Sequence, residues 1–361
     1  MTLQEIRCII NSECMNNSLS KKLRIYLCDL TYDTILLVSD TIPINIGFIA
    51  SYIKKYLNNE VEISLFKYPN SVIEAIKKNP PDMIALSSYS WNSNLSEYVS
   101  SITKKFNPNV ITIHGGTNFP HKHELQKIFL QNRPYTDIHT LFEGERALLS
   151  VVKRILESNL ERKKIFELPI DGCVFIHPDT KKFTKVKQKF VIGKSLERIK
   201  DLDEIPSPYL NGILDKFFDG KLTPFLETNR GCPFHCTFCA DGKDEVNQVN
   251  NFSIERVKEE LDYIVKHKHK DTHNMIFSDL NFGMYKQDVV TANVIAEMQK
   301  NCNYPTIIFA TVGKNMPERV INVAKILKGW TMGAGIQSTD HNVLKAIKRS
   351  NISKSAYQKL I

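Results

Sequence analysis

No apolar run in this 361-residue chain approaches the roughly 20 residues that a membrane-spanning helix needs. The longest, at 34–38 and 83–86, are strand-sized. The first 20 residues also lack a cationic start followed by an apolar block, so they do not read as a secretory signal. No low-complexity tract and no repeat of identical sequence interrupts the chain, which removes linker-like and repeat architectures from consideration. Acidic residues are outnumbered, 39 against 48 Lys and Arg, for a formal charge of +9. The densest basic cluster, Lys266-His267-Lys268-His269-Lys270, has no interleaved aromatic residue and matches no nucleic-acid-binding motif. A solvated helix end accounts for it. What remains, 42% hydrophobic and 24% charged residues, is the composition of a soluble globular protein. It is expected to be cytoplasmic, with neither a membrane nor a nucleic acid as partner. Its length predicts two domains, each with its own core.

From 23 to 156, short apolar runs alternate with amphipathic stretches. Strands are predicted at 23–30, 61–66, 83–87, 110–114 and 138–142, and helices at 46–57, 71–78, 95–106, 123–132 and 145–158. A helix after every strand implies an α/β domain over 22–160, a doubly wound parallel sheet of Rossmann-like type, preceded by an extension at 1–21. Ligands of such sheets sit beyond the carboxyl ends of the strands. Those ends carry Ser87-Ser88-Tyr89, Gly115-Gly116-Thr117 and Glu143-Gly144-Glu145.

Residues 161–215 read as a hairpin, 173–176 with 185–192 around Pro178-Asp179, and then a proline-punctuated linker ending in Ile205-Pro206-Ser207-Pro208-Tyr209-Leu210. Over 216–361 a second alternation begins, with strands at 222–227, 274–278, 306–310 and 330–336 and helices at 253–267, 286–301, 317–327 and 341–348. Four βα units in succession predict part of a TIM-like (β/α) barrel with its chemistry on the carboxyl-end loops. A barrel truncated after four units is expected to be a fragment of a longer enzyme or a reduced copy.

Eight cysteines are present, and five of them, Cys8, Cys14, Cys28, Cys173 and Cys302, are scattered singly. Buried or incidental thiols explain those five. The other three fall within the segment Thr228-Asn229-Arg230-Gly231-Cys232-Pro233-Phe234-His235-Cys236-Thr237-Phe238-Cys239, directly after a predicted strand. Three thiolates at Cys-x3-Cys-x2-Cys spacing can hold three corners of a four-iron four-sulfur cubane and leave the fourth iron open. A structural zinc site competes, but it wants four ligands in two spaced pairs. The next cysteine is Cys302, and the spacing of His235 to its neighbours does not suit zinc. An accidental cluster of thiols is the third reading, and it leaves the strand context unexplained.

This loop resembles that of the radical S-adenosylmethionine (SAM) superfamily, in which Gly231, Pro233 and the aromatic Phe238 also fit. The resemblance implies a [4Fe-4S] cluster on Cys232, Cys236 and Cys239, with SAM on the open iron and the backbone near Phe238 close to the adenine. Asp279 with Asn281-Phe282 resembles the family's Asp-x-Asn-Phe stretch near the methionyl end of SAM, and Gly335-Ile336-Gln337-Ser338 resembles another SAM-approaching element. Each has a bland alternative, a helix cap for Asp279 and a loop position for Gln337.

A doubly wound domain joined to such a core is similar to the cobalamin-binding radical SAM enzymes, with matching stretches from 22 to 351. They include Pro43-Ile44-Asn45-Ile46-Gly47 and the strand ends above. The resemblance implies cobalamin contacts at Ser87, Ser88, Tyr89, Asn92, Gly115, Gly116, Thr117, Glu143 and Gly144. The 28-residue interval from Ser87 to Gly115 agrees with that of cobalamin modules. One departure stands out. Aligning the Asp-x-His-x-x-Gly motif on Gly47 puts Ile42 and Ile44 at the aspartate and histidine positions, so no protein imidazole would reach cobalt from there. Trp91 is either a corrin-facing or a core-closing aromatic, and His114, His121 and His123 are read as structural. The implied activity is methyl transfer to an unactivated carbon or phosphorus of a small-molecule or natural-product substrate, with electrons from a flavodoxin or ferredoxin. A cobalamin-associated rearrangement or cyclisation, or a non-catalytic cobalamin- and SAM-binding protein, are the alternatives.

Overall fold

The computed structural model describes residues 22–34, 37, 39–181, 184–313, 315–349 and 358. The extension at 1–21 and much of the apolar run 34–38 lie outside the described residues. The chain divides into two compact units, one taking in the residues up to Leu30 with Tyr52–Leu196, the other Thr31–Ser51 with Glu197–Ile361.

The first unit is built on a seven-stranded sheet. Up to Leu196 the elements run β1 (Leu23–Cys28), α1 (Ile44–Leu57, its residues to Ser51 counted with the second unit), β2 (Val61–Phe66), α2 (Pro69–Lys78), β3 (Met83–Ser87), α3 (Ser93–Phe106), β4 (Ile111–Gly115), α4 (His123–Gln131), β5 (Ile138–Thr140), α5 (Gly144–Glu157), a single turn α6 (Arg162–Ile165), β6 (Cys173–Ile176), a second single turn α7 (Pro178–Lys181) and β7 (Phe190–Ile192). Strand order is β2-β1-β3-β4-β5-β6-β7, parallel as far as β5. Every residue of β3 is buried, as expected of a central parallel strand covered on both faces. The hairpin expected beside the linker is instead part of this sheet: β6 pairs antiparallel with β5, and β7 with β6. Apolar Val174 and Ile176 pack there against Leu130 of α4, which is what draws the hairpin into the unit. Order reverses between β1 and β3, the position at which open α/β sheets open a crevice for ligands.

The second unit continues with β8 (Phe225–Leu226), β9 (Asn229–Arg230), β10 (Asn250–Asn251), α8 (Ile254–His267), β11 (Asn274–Phe277), α9 (Lys286–Cys302), β12 (Ile307–Thr311), α10 (Pro317–Ile326), β13 (Trp330–Gly333) and α11 (His341–Ala346). The four strands β8, β11, β12 and β13 pair in chain order, all parallel, as successive βα units require. Burial along β12 alternates, with Ile308 and Ala310 inside and Ile307, Phe309 and Thr311 exposed on the opposite face. Residues 31–51 join this unit through backbone hydrogen bonds, Ile42 N to Thr223 O at 2.9 Å and Thr223 N to Asp40 O at 2.6 Å. Among the described residues no helix is long and apolar enough to cross a membrane.

Candidate metal and cofactor site

The cysteine loop leaves β8 and is stapled at its root. β9 pairs antiparallel with β10, and Cys232 N donates to Val246 O at 3.0 Å. Gly231 between them has φ +116°, and a Cβ there would stand 2.1 Å from the Gln248 carbonyl oxygen. Only glycine fits that position. Arg198 closes the same corner by donating to the carbonyls of Gln248 (2.6 Å) and Arg230 (3.2 Å). Farther along, Cys239 N donates to Cys236 O, and a Cβ on Gly242 would stand 2.1 Å from that same oxygen. The loop therefore folds tightly around Cys236.

Cys232, Cys236 and Cys239 all line one cavity of about 200 Å³, together with Asn281, Gln337 and Arg349. The sulfurs differ in access: Cys236 is buried, Cys232 half-buried and Cys239 exposed. Asn281 Nδ2 lies 3.4 Å from the Cys232 sulfur, and Arg349 Nη1 lies 3.5 Å from the Cys236 sulfur. Among the described residues no three His, Cys, Asp or Glu side chains converge on a single-ion site. A cubane asks less, because each thiolate takes its own iron corner. Three thiols on one cavity wall, with amide and guanidinium donors beside two of them, fit such a cluster. His235, weighed against zinc, turns to Asp244 at 3.2 Å.

The expected SAM-contacting residues separate into two groups. Asn281 and Gln337 are on the cavity wall, and Gln337 holds φ +66°, a left-handed conformation uncommon for a side chain of its kind. Asp279, Phe238 and Ser338 are not on the wall. Asp279 is buried, and its carboxylate accepts hydrogen bonds from Thr228 and Asn229. Burial raises its pKa to about 7, with Asp288 and Glu227 pushing the same way against the bonds from Thr228. It does not cap α9 either; Asp288 does, accepting from Tyr285 N at 2.8 Å. Phe238 is 52% exposed and lies 5.8 Å from the Arg349 guanidinium, and the Ser338 hydroxyl accepts from Asp340 N. Arg349 and Asp241, another wall residue, were not anticipated. Asp241 follows the third cysteine by two positions, a signal the sequence did offer.

In the first unit, the residues expected to touch cobalamin gather at the carboxyl ends of β3, β4 and β5. Ser88 N donates to Gly115 O at 2.6 Å, and Asn118 N donates to Ser88 O at 3.2 Å. Gly116, at φ +121°, lets the turn lie against Ser88, whose carbonyl oxygen would be 2.9 Å from any Cβ there. Ser87 and Asn92 are engaged below this rim: Ser87 Oγ donates to Asp29 at 2.5 Å, Lys67 Nζ donates to Asp29 at 3.0 Å, and Asn92 Nδ2 donates to Ser87 Oγ at 3.0 Å. The Tyr89 and Trp91 rings stack at 4.6 Å with only 7° between planes, and Trp91 is half exposed. Gly116 and Thr117 are exposed, and Glu143 and Gly144 open α5. The exposed Trp91 ring, stacked on the half-buried Tyr89 ring beside small residues, fits a broad planar ligand. Ile42 and Ile44 are both buried apolar core, so neither presents a ligand atom.

A βα-unit sheet with three thiols gathered after its first strand is the arrangement that a radical SAM domain would need. Residues 226–360 match the Radical SAM superfamily. The chain carries a radical SAM domain, and its homologues include cobalamin-dependent radical SAM methyltransferases. It is 29% identical over 336 residues to the 2-(S-pantetheinyl)-carbapenam-3-carboxylate methyltransferase of Streptantibioticus cattleyicolor, covering 86% of this chain and 46% of that protein. It is 30% identical over 296 residues to the cobalamin-dependent radical SAM methyltransferase TokK of Streptomyces tokunonensis, covering 78% of this chain and 40% of TokK. The chain thus spans less than half the length of these relatives. Its fold is also that of the cobalamin-dependent SAM radical enzyme OxsB, solved with aqua-cobalamin and SAM bound, at a TM-score of 0.64 and 18% identity over 93% of this chain and 46% of that one.

Proposed function

We propose that this chain carries the cofactor-binding units of a cobalamin-dependent radical SAM methyltransferase acting on an unactivated carbon or phosphorus of a small-molecule substrate. The observation that carries the reading is the shared cavity of Cys232, Cys236, Cys239, Asn281 and Gln337. When bound, a [4Fe-4S] cluster supplies the electron that cleaves SAM, and cobalamin supplies methyl-carrying capacity. The chain's own residues hold and shape. Cys232, Cys236 and Cys239 would hold the cluster, and Asn281 donates toward one of their sulfurs and Arg349 toward another. Gln337 offers an amide donor and acceptor at the wall, suited to a ribose or amino-acid group. At the other unit, Gly115, Gly116 and Thr117 form the rim, held over the buried Ser88, and Tyr89 with Trp91 form the flat face for the corrin. The named activities of the relatives support methyl transfer over rearrangement without methylation. A flavodoxin or ferredoxin is the electron donor in this reading, and the cytoplasm its compartment.

The test is anaerobic reconstitution with iron, sulfide and hydroxocobalamin, followed by absorbance spectra and SAM cleavage assays. A cluster spectrum, a bound-corrin spectrum and 5′-deoxyadenosine are expected. Iron and sulfide uptake undiminished after all three cysteines are changed to alanine would sink the reading. A corrin spectrum without SAM cleavage would instead favour a binding protein.

A further inference from the structure

Asp279 is 1% exposed and lies off the cavity wall, yet it is fully engaged. Oδ1 accepts from Thr228 N at 2.8 Å and Asn229 N at 3.3 Å. Oδ2 accepts from the Thr228 hydroxyl and from Asn229 Nδ2 at 3.1 Å. A carboxylate has about four lone-pair sites, so four donors saturate it and leave nothing for a ligand's ammonium or hydroxyl. All four come from two consecutive residues, and those residues sit between the end of β8 and the Gly231 turn that leads into Cys232.

We propose that Asp279 is a positioning residue for the cysteine loop, clasping Thr228 and Asn229 so that Cys232 is presented to the cluster at a fixed place. Two residues on, Asn281 Nδ2 reaches the Cys232 sulfur at 3.4 Å. The loop after β11 therefore grips the cysteine loop twice, at its root through Asp279 and at its first thiol through Asn281. The short covalent link between the two grips sets the distance between root and sulfur. A carboxylate suits the root because it accepts backbone and side-chain donors together. An amide in its place keeps one acceptor oxygen but turns a nitrogen donor toward the Thr228 and Asn229 side chains. Buried groups that orient metal ligands typically change metal affinity by about 10- to 100-fold when altered.

The inference rests on the three cysteines being cluster ligands, and the experiment separates the two. Wild type, Asp279→Asn, Thr228→Val, the Asp279→Asn/Thr228→Val double variant and the triple cysteine-to-alanine variant are reconstituted anaerobically with iron and sulfide. Iron stoichiometry, the rate of iron loss to a ferrous chelator, the EPR spectrum of the reduced cluster and equilibrium SAM binding are measured, with far-UV circular dichroism on each. Asp279→Asn is expected to lose iron about tenfold faster and to show an altered EPR spectrum before SAM is added. SAM affinity of the cluster-bearing fraction should change less than about twofold, because saturated oxygens have no acceptor left for SAM. Thr228→Val is expected to shift the same way by less, and the double variant to be no worse than Asp279→Asn alone. Wild-type iron loss in Asp279→Asn overturns the proposal. So does an intact cluster with SAM affinity down tenfold, the result a ligand contact would give. If Asp279→Asn misfolds, Thr228→Val decides: unchanged iron loss there overturns the proposal as well. Full iron and sulfide uptake by the triple cysteine variant defeats the cluster reading itself, a separate outcome.

Discussion

Arg349 Nη1 stands 3.5 Å from the Cys236 sulfur while Nη2 of the same guanidinium donates to the Gly335 carbonyl at 2.8 Å. One side chain thus ties the segment after α11 to the buried thiol and to the stretch that carries Gln337. A cation beside a cluster thiolate stabilises the more negative, reduced state. Arg349→Met should lower the cluster's midpoint potential. A charge-assisted hydrogen bond of about 1.5 kcal/mol corresponds to about 60 mV for one electron. An EPR-monitored redox titration checks it; a potential that rises or stays put would contradict this role.

Gly231→Ala should damage the second unit beyond the loss of one glycine. The new Cβ must avoid an oxygen at 2.1 Å while the backbone keeps φ +116°. Strain of this kind costs about 1–3 kcal/mol before any overlap is counted, and Tm of that unit is expected to fall by about 5–10 °C. Thermal unfolding followed by circular dichroism, with iron content alongside, measures both effects. Iron binding should fall with stability, since Cys232 is the next residue.

Much of this was legible in sequence and some was not. The strand at 83–87 stands where the apolar run puts it, because a buried parallel strand must be apolar nearly throughout, and the edge strand at 61–66 is betrayed by its alternation, with Val61 and Leu65 buried and Glu62 exposed. Phe142 was expected to end β5, yet it takes φ 52° and turns the chain into α5. The attachment of 31–51 to the second unit depends on Thr41 and Thr223 pairing across 182 positions, which no local pattern signals. Arg349 was invisible for a similar reason. Its place follows from Lys348 at φ 50° and from Thr237 N donating to Ile347 O, both tertiary facts. The thiol spacing needed no such information, because the chemistry dictates it directly.

In the first unit, Lys67 is a fully buried cation held by Asp29, and Asp29 in turn receives Ser87. Lys67→Met leaves a buried carboxylate with a hydroxyl as its remaining partner among these three. Breaking one half of a buried pair costs about 3–5 kcal/mol, whereas Asp29→Asn with Lys67→Met together should recover part of it. Urea unfolding of the single and double variants gives the coupling. Cobalamin titration should show weakened binding in Lys67→Met, since Ser87 anchors Asn92, whose Oδ1 accepts from Tyr89 N at 2.8 Å.

Acid should weaken the first unit through two neighbouring histidines. His114 and His139 are register partners on β4 and β5 and are both fully buried. Burial pushes each pKa down to about 3; Arg133 adds to this in both, and His139 also presses on His114. A depressed folded pKa means the unfolded chain takes up protons first. The stability contributed by each neutral ring is therefore complete above about 6.5, the unfolded value, and is lost as pH falls toward 3. Each histidine contributes a slope approaching about 1.4 kcal/mol per pH unit within that window. Asp137 adds to the loss lower down: burial alone would raise its pKa, but Lys104, Arg162 and Lys181 hold it to about 2, so its contribution fades only below about 4. Trp91 is the tryptophan of this unit and Trp330 that of the other, so a Trp330→Phe background lets fluorescence follow the first unit alone. Urea midpoints should fall little from pH 7.5 to 6.0 and mostly between about 6.0 and 4.5. His139→Phe keeps a ring against Phe119, which stacks on His139 at 3.7 Å, while removing one titrating group, and should roughly halve the slope. A slope unchanged in that variant would mean that the buried imidazoles are not what acid attacks.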